Sequence, residues 1–345
     1  MYFISDKCLI ATKLRKYFEK TKDKVLTIRN IRRHFGCYGF SDNLPSLLNR
    51  CIVGIYVPLF FVLSGYLIKI ENMDIKMALI KKTKSLLRPF LVVYIFSFFM
   101  SFLLSVIGIG VKHEFEWSNF LNPLYSKTFF NGPLWFLLAL FWAFAIFYSI
   151  SKISREKIVA ISLLALFVGY IGFYLSKKEI ILPLFVGQGM VACPMLMMGY
   201  LLKKYFAPFS YNRKIIVLFG MSIGAAIYLY FGTGLSMQSN RYDGYYLQLL
   251  LGVFGGAMFF LCISMLLERY LPFIEYWGKY SLVILCFHNF ILIPCAKITG
   301  RVLHQSVVWS LGTFIIIYLC FLLIIPLFSK FLPSLFNIKN EYKKI

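Results

Sequence analysis

Acidic residues are scarce in this chain: its 345 residues include 14 Asp and Glu against 37 Lys and Arg, and four His. Charged residues make up 15% of the sequence and hydrophobic ones 60%, with a mean hydropathy of +0.74. No ordinary soluble core could hide that much apolar surface, so its solvent must be lipid. The eight cysteines (8, 37, 51, 193, 262, 286, 295, 320) form no CxxC and no paired spacing. That argues against a disulfide framework and against zinc, and no metal is expected. There is no Walker sequence, no HExxH and no dinucleotide fingerprint. Gly187-Gln188-Gly189 and Gly232-Thr233-Gly234 read as helix breaks and turns. Glu114 and Glu116 fall in a loop, and Asp243 and Glu268 near the ends of apolar runs, so no buried proton-relay row is visible. Residues 1–30 lack the apolar h-region of a signal peptide. The net charge of +23 raises the question of nucleic acid, but the basic residues sit in short loops between apolar runs. That is a pattern of membrane topology, and no nucleic-acid partner is expected.

What the sequence does have is long apolar runs. They occur at about 51–68, 89–111, 133–150, 158–175, 180–202, 215–231, 245–267, 280–298 and 307–329, each close to or above the ~17 residues a span requires. The expected fold is all-α: a polytopic transmembrane helical bundle with nine visible spans. The 180–202 run, broken by Gly187, Gly189 and Pro194, is expected to kink or to line a cavity. Placing loop 69–88 in the cytoplasm and alternating onward puts 19 Lys and Arg on the cytoplasmic side and 7 on the other. This positive-inside bias places the C-terminus inside. Three regions follow: a basic N-terminal segment 1–50, a membrane domain 51–330 and a cytoplasmic tail 331–345. Membrane lipids are the first partner implied.

Three motifs stand in order along the membrane domain. Val57-Pro58-Leu59-Phe60-Phe61-Val62-Leu63-Ser64-Gly65-Tyr66-Leu67-Ile68 interrupts an apolar run with a small Ser-Gly pair, which lets a second backbone or a thin ligand come close. It is followed by a basic loop, Lys81-Lys82-Thr83-Lys84-Ser85-Leu86-Leu87-Arg88-Pro89. Lys81, Lys82 and Lys84 are explained by topology, whereas Arg88 at a helix entrance suits either topology or anion binding. Asn131-Gly132-Pro133-Leu134-Trp135-Phe136-Leu137 opens the third span. On its own it reads as an interfacial aromatic anchor after a turn. Trp277-Gly278-Lys279-Tyr280-Ser281-Leu282-Val283-Ile284-Leu285-Cys286-Phe287-His288 carries a histidine about 12 Å into a span. That imidazole must face the interior, as a structural residue or as a functional one.

In this order the motifs resemble those of the bacterial integral-membrane acyltransferases known as the acyltransferase-3 family, over roughly residues 40–330. The resemblance implies transfer of an acyl group, typically acetyl, from acyl-CoA to a sugar hydroxyl of a cell-envelope polysaccharide or its precursor, in the bacterial inner membrane. It further implies a donor site at Arg88, Lys84 and Gly65. Ser64 and His288 become candidate catalytic residues, with Trp135, Phe136 and Asn131 on the substrate side. Two other classes stay open: a non-catalytic membrane protein retaining the fold, and a transporter of small molecules or lipid-linked sugars. Intramembrane charges or inverted repeats, which would favour a transporter, are not visible.

The family has ten core helices, and the first ends in a histidine regarded as the catalytic base. Here the corresponding stretch reads Leu26-Thr27-Ile28-Arg29-Asn30-Ile31-Arg32-Arg33-His34-Phe35-Gly36-Cys37-Tyr38-Gly39-Phe40-Ser41-Asp42, which is no apolar helix. Two accounts fit: a genuine basic cytoplasmic arm, or a compensated frameshift, since the codons for Arg33 to Gly39 read one nucleotide later can spell Gly-Ile-Leu-Val-Val-Met-Gly. Either way the family's base is missing, and an inactivated enzyme is one expectation.

Overall fold

Apolar runs too long for strands and rich in Leu, Phe and Ile should close all their backbone hydrogen bonds internally, as helices. In a computed structural model of the chain they do. The structure describes residues 46–68, 70, 74–106, 117–127, 131–206, 214–232, 235–267, 280, 282–291 and 319–326. The disputed stretch 1–45 and the tail 331–345 lie outside the described residues. The helices are α1 Ser46–Tyr66, α2 Ile75–Lys82, α3 Arg88–Val106, α4 Trp135–Ile153, α5 Ile158–Lys177, α6 Val186–Leu201, α7 Lys214–Phe231 and α8 Tyr246–Leu267. Two shorter ones follow, α9 at 282–291 and α10 at 319–326. Among the described residues, five helical stretches are long and apolar enough to cross a membrane: Ile75–Leu103, Gly132–Ile153, Ile158–Lys177, Pro183–Phe206 and Tyr246–Ser264. Val57–Tyr66, Ile215–Phe231 and Leu282–Ile291 are shorter apolar helices. The described sheet is one two-residue hairpin, β1 Leu235–Ser236 and β2 Arg241–Tyr242, paired antiparallel with Leu235 opposite Tyr242.

The basic segment before Pro89 differs from expectation. It is not a loop: Asp74 accepts a hydrogen bond from the Lys76 N–H at 2.9 Å and caps α2, and the chain stays helical through a π-helical turn at Thr83–Leu87 into α3. Proline at the second position of α3 is tolerated because a π turn replaces the regular ladder immediately before it. A second π turn, Leu202–Phe206, ends α6.

The core is organised around α6, which packs against α1, α4 and α5, while α7 and α8 pair with each other. From Gly187 to Met197 every α6 residue except Met190 is buried, the signature of a helix surrounded by other helices. Small residues allow this. A Cβ on Gly65 of α1 would overlap the Leu196 carbonyl of α6, and one on Gly199 of α6 would overlap the Val62 carbonyl of α1. The two backbones are therefore in contact at this crossing. The break expected at Gly187, Gly189 and Pro194 is not found there, since α6 continues as helix from Val186 to Leu201; the chain turns earlier, in a 3-10 turn Pro183–Phe185 with Leu184 and Phe185 at φ 53° and 61°. Ser126 fastens it: its hydroxyl donates to the Leu182 carbonyl at 2.6 Å and accepts from the Phe185 N–H at 2.8 Å.

Candidate active site

Gly132-Pro133-Leu134 forms a 3-10 turn whose proline sits near its start, where a missing N–H costs nothing, and the turn runs directly into α4. Asn131 precedes it at the N-cap position. An asparagine there normally caps the turn with its side chain, but this one does not. Its amide instead reaches across the bundle. Nδ2 donates to Ser97 Oγ of α3 at 3.0 Å and to the Cys286 carbonyl of α9 at 2.8 Å. Ser97 Oγ in turn donates to the Val93 carbonyl at 2.5 Å, so it can only accept from Asn131. Asn131 and Ser97 are fully buried. Three segments separated by up to 155 residues in sequence are thus tied by one amide.

His288 lies two residues further along α9 and is buried, with buried Asn289 beside it. Its Nδ1 is 2.9 Å from the Ile284 carbonyl one turn back. A carbonyl can only accept, so the proton sits on Nδ1, and in the neutral ring the basic lone pair is on Nε2. The imidazole is thereby held in one tautomer by its own helix.

Trp135 and Phe136 are interior residues rather than surface anchors. Phe136 packs against Phe60 and Phe61 of α1, with ring centroids 5.6 and 5.0 Å apart, and Trp135 against Phe185 at 6.0 Å. Two of the sequence motifs therefore meet at Phe136, and Asn131, five residues earlier, carries the contact to the third. Gln238 of the hairpin region lies over this turn, 3.5 Å from the Gly132 carbonyl.

The basic residues lie earlier in the chain, around the start of α3. Arg88 and Lys84 are exposed, on and just before α3. Lys82 is not a loop residue, because its ammonium sits 3.5 Å from the ring centroid of Phe144, in the middle of α4. A cation over an aromatic face gains electrostatic stabilisation from the ring. Lys203 Nζ donates to the Ile68 carbonyl at 2.9 Å and closes the end of α1. Gly65 is spent on the contact with α6, which closes its side of α1 to a ligand. Ser64 beside it is half-exposed and is the member of the pair left with an open side.

The structure thus joins Asn131, Phe136, Trp135 and the His288 helix in one buried region, with Arg88 and Lys84 apart from it. Sequence reasoning missed Ser97, Ser126 and Asn289. Ser97 is one serine among several in apolar runs and gave no signal. The His288-Asn289 dipeptide, two polar residues side by side within an apolar run, was the available signal for Asn289. When the chain is compared with known proteins, a family model described as an acyltransferase domain matches residues 34–328. No curated protein and no solved structure matches it significantly.

Proposed function

The chain belongs to the acyltransferase-3 family of multi-pass membrane proteins, and from that premise we propose that it is built to transfer an acyl group, acetyl in the first instance, from acyl-CoA to a sugar hydroxyl. The acceptor is a cell-surface glycan or its lipid-linked precursor. The membrane is the bacterial cytoplasmic membrane, with the basic end of the bundle and the C-terminus inside. Arg88 and Lys84 receive the phosphates of coenzyme A at that end, and the acyl arm passes by Ser64. Asn131, Trp135 and Phe136 mark the acceptor side. One observation carries the reading: Asn131 of one family motif is hydrogen-bonded to the helix that carries His288 of another.

Transfer needs a base for the hydroxyl proton. The sugar oxygen attacks the thioester carbonyl carbon, the carbon–sulfur bond breaks, and the proton taken by the base returns to the coenzyme A sulfur. Phe40 stands where the family places its base, and among the described residues His288 is the one histidine. Its Nε2 is the nitrogen that can accept a proton, so residual transfer runs through His288.

A second reading, a non-catalytic protein keeping the fold, rests on that same Phe40. Purified protein in lipid nanodiscs with labelled acetyl-CoA separates the two. General-base assistance is worth about 100- to 10,000-fold, so we expect slow acyl transfer that His288→Gln abolishes. Restoring an apolar first helix that ends in Gly-His-Ser-Asp should raise it, while Phe40→His alone should not. Robust transfer untouched by His288→Gln refutes the role of His288. Acetyl-CoA binding with no transfer establishes the non-catalytic reading.

A further inference from the structure

We infer that the side-chain carbonyl of Asn131 is the hydrogen-bond acceptor that holds a hydroxyl of the incoming sugar. This deepens the acyl-transfer reading above and rests on it for the identity of the ligand as a sugar.

The orientation of the amide is over-determined. Both of its nitrogen's partners must accept: the Cys286 carbonyl has no proton to give, and the Ser97 hydroxyl proton is committed to the Val93 carbonyl. Flipping the amide would set its oxygen against the Cys286 carbonyl oxygen. Oδ1 is therefore the atom left over. It is buried and has no hydrogen-bond partner among the described residues. Interior polar atoms are satisfied in about nine cases of ten or more, because an orphaned one loses its hydration with nothing in return. A purely structural tie between α3 and α9 needs only the NH2 half of this side chain. The carbonyl half, fully buried and fixed in direction by two bonds, needs a donor from elsewhere.

What it can receive follows from its chemistry. An amide oxygen accepts and cannot donate, so its partner is an O–H or N–H group. Its position selects between ligands: Asn131 is bonded to Ser97 of α3, nine residues or about 14 Å along that helix from Arg88, and Lys84 lies further back still, within the π turn Thr83–Leu87. The donor expected there is the acceptor hydroxyl rather than the phosphate end of the nucleotide. A site that orients a hydroxyl through a buried carbonyl discriminates strongly against analogues lacking the O–H, because the carbonyl is then left desolvated and unpaired.

Binding tests this without requiring turnover. The probes are methyl α-glucoside, methyl α-galactoside and methyl α-rhamnoside, each with its set of monodeoxyfluoro counterparts, titrated into nanodisc-embedded protein and followed by saturation-transfer NMR. Fluorine accepts hydrogen bonds but cannot donate them. For the glycoside that binds, replacement at one ring position should weaken binding about tenfold, the value of one such hydrogen bond. Asn131→Ala should weaken the parent glycoside by a similar factor and erase the difference between parent and fluoro analogue. Ser149→Ala, whose exposed hydroxyl donates to the Ala145 carbonyl of its own helix, should keep both affinities within about twofold.

Because the fluoro series uses the unmodified chain, the result stands even if Asn131→Ala does not fold. Binding of none of the glycosides, equal binding by all fluoro analogues, or equal losses in the two variants overturns the inference. In the last two cases Oδ1 is satisfied by a structural water. Binding that depends on Asn131, with no acetyl-CoA hydrolysis or transfer, upholds the inference and refutes catalysis by this chain.

Discussion

Replacing Gly199 of α6 by alanine should damage the protein as much as replacing Gly65 of α1, although only Gly65 belongs to a recognisable motif. The reason is geometric. At Gly65 a new Cβ would overlap the Leu196 carbonyl oxygen and lie 2.6 and 2.7 Å from Leu196 C and Cα. At Gly199 it would overlap the Val62 carbonyl oxygen and lie 2.7 Å from the Tyr66 nitrogen. Ordinary contact begins at 3.4 Å, and the atoms met are backbone, so no rotamer can relieve the clash. The helices must part, loosening the surrounding packing of buried Phe61, Val62, Tyr66, Met195 and Leu196. Overpacking of this kind costs about 1–3 kcal/mol per site.

The two costs should not add. Once one alanine has separated α1 from α6, the second occupies space already opened, so the double variant should fall short of the sum by about 1 kcal/mol. Ser64→Ala, at a half-exposed neighbour, should cost under about 0.5 kcal/mol. Reversible unfolding in mixed micelles gives the numbers, and acetyl-CoA binding on the same samples gives the functional readout. If the glycine in the motif served a ligand, Gly65→Ala would lose donor binding while Gly199→Ala kept it. Strict additivity, or single costs below about 0.3 kcal/mol, would refute the argument from backbone contact.

Three further outcomes follow from individual groups. Arg88→Ala should weaken acetyl-CoA binding about 10- to 100-fold and Arg88→Lys only several-fold, since the first loses the charge and the second only the bidentate geometry; equal binding by all three proteins removes Arg88 from the donor site. Tyr242 in β2 has a buried hydroxyl without a partner among the described residues, and burial pushes its pKa up. The fold therefore favours the neutral phenol: stability is full below the unfolded-state pKa of about 10 and falls as pH rises above it. Thermal unfolding between pH 9 and 11 should show that loss, and Tyr242→Phe should flatten it. Cysteine labelling introduced at Lys84 and in residues 331–345 should react only from the cytoplasmic side; labelling of both from outside inverts the orientation.

The helices were legible because lipid leaves few choices: an apolar run of span length must be helical, and each of the nine runs coincides at least in part with a helix among the described residues. The loop expected over 75–88 is helical for a physical reason. Lysines every few residues look like a solvated loop, yet long stems let Lys82 keep its place in a helix with its ammonium over Phe144. The aromatic pair Trp135-Phe136 was open to two readings, since interfacial and interior aromatics have the same composition, and only packing on Phe60, Phe61 and Phe185 tells them apart. Motif order brought Asn131 and His288 forward as candidates but could not say that they belong to one region. That depends on a hydrogen bond across 155 positions to a main-chain carbonyl, and a carbonyl carries no side-chain identity to read. The residue that completes the tie, Ser97, is chosen by its place on α3 rather than by its type. A bundle of this kind therefore shows its architecture in its apolar runs, while its chemistry resides in a few polar atoms whose partners are fixed only by how the helices pack.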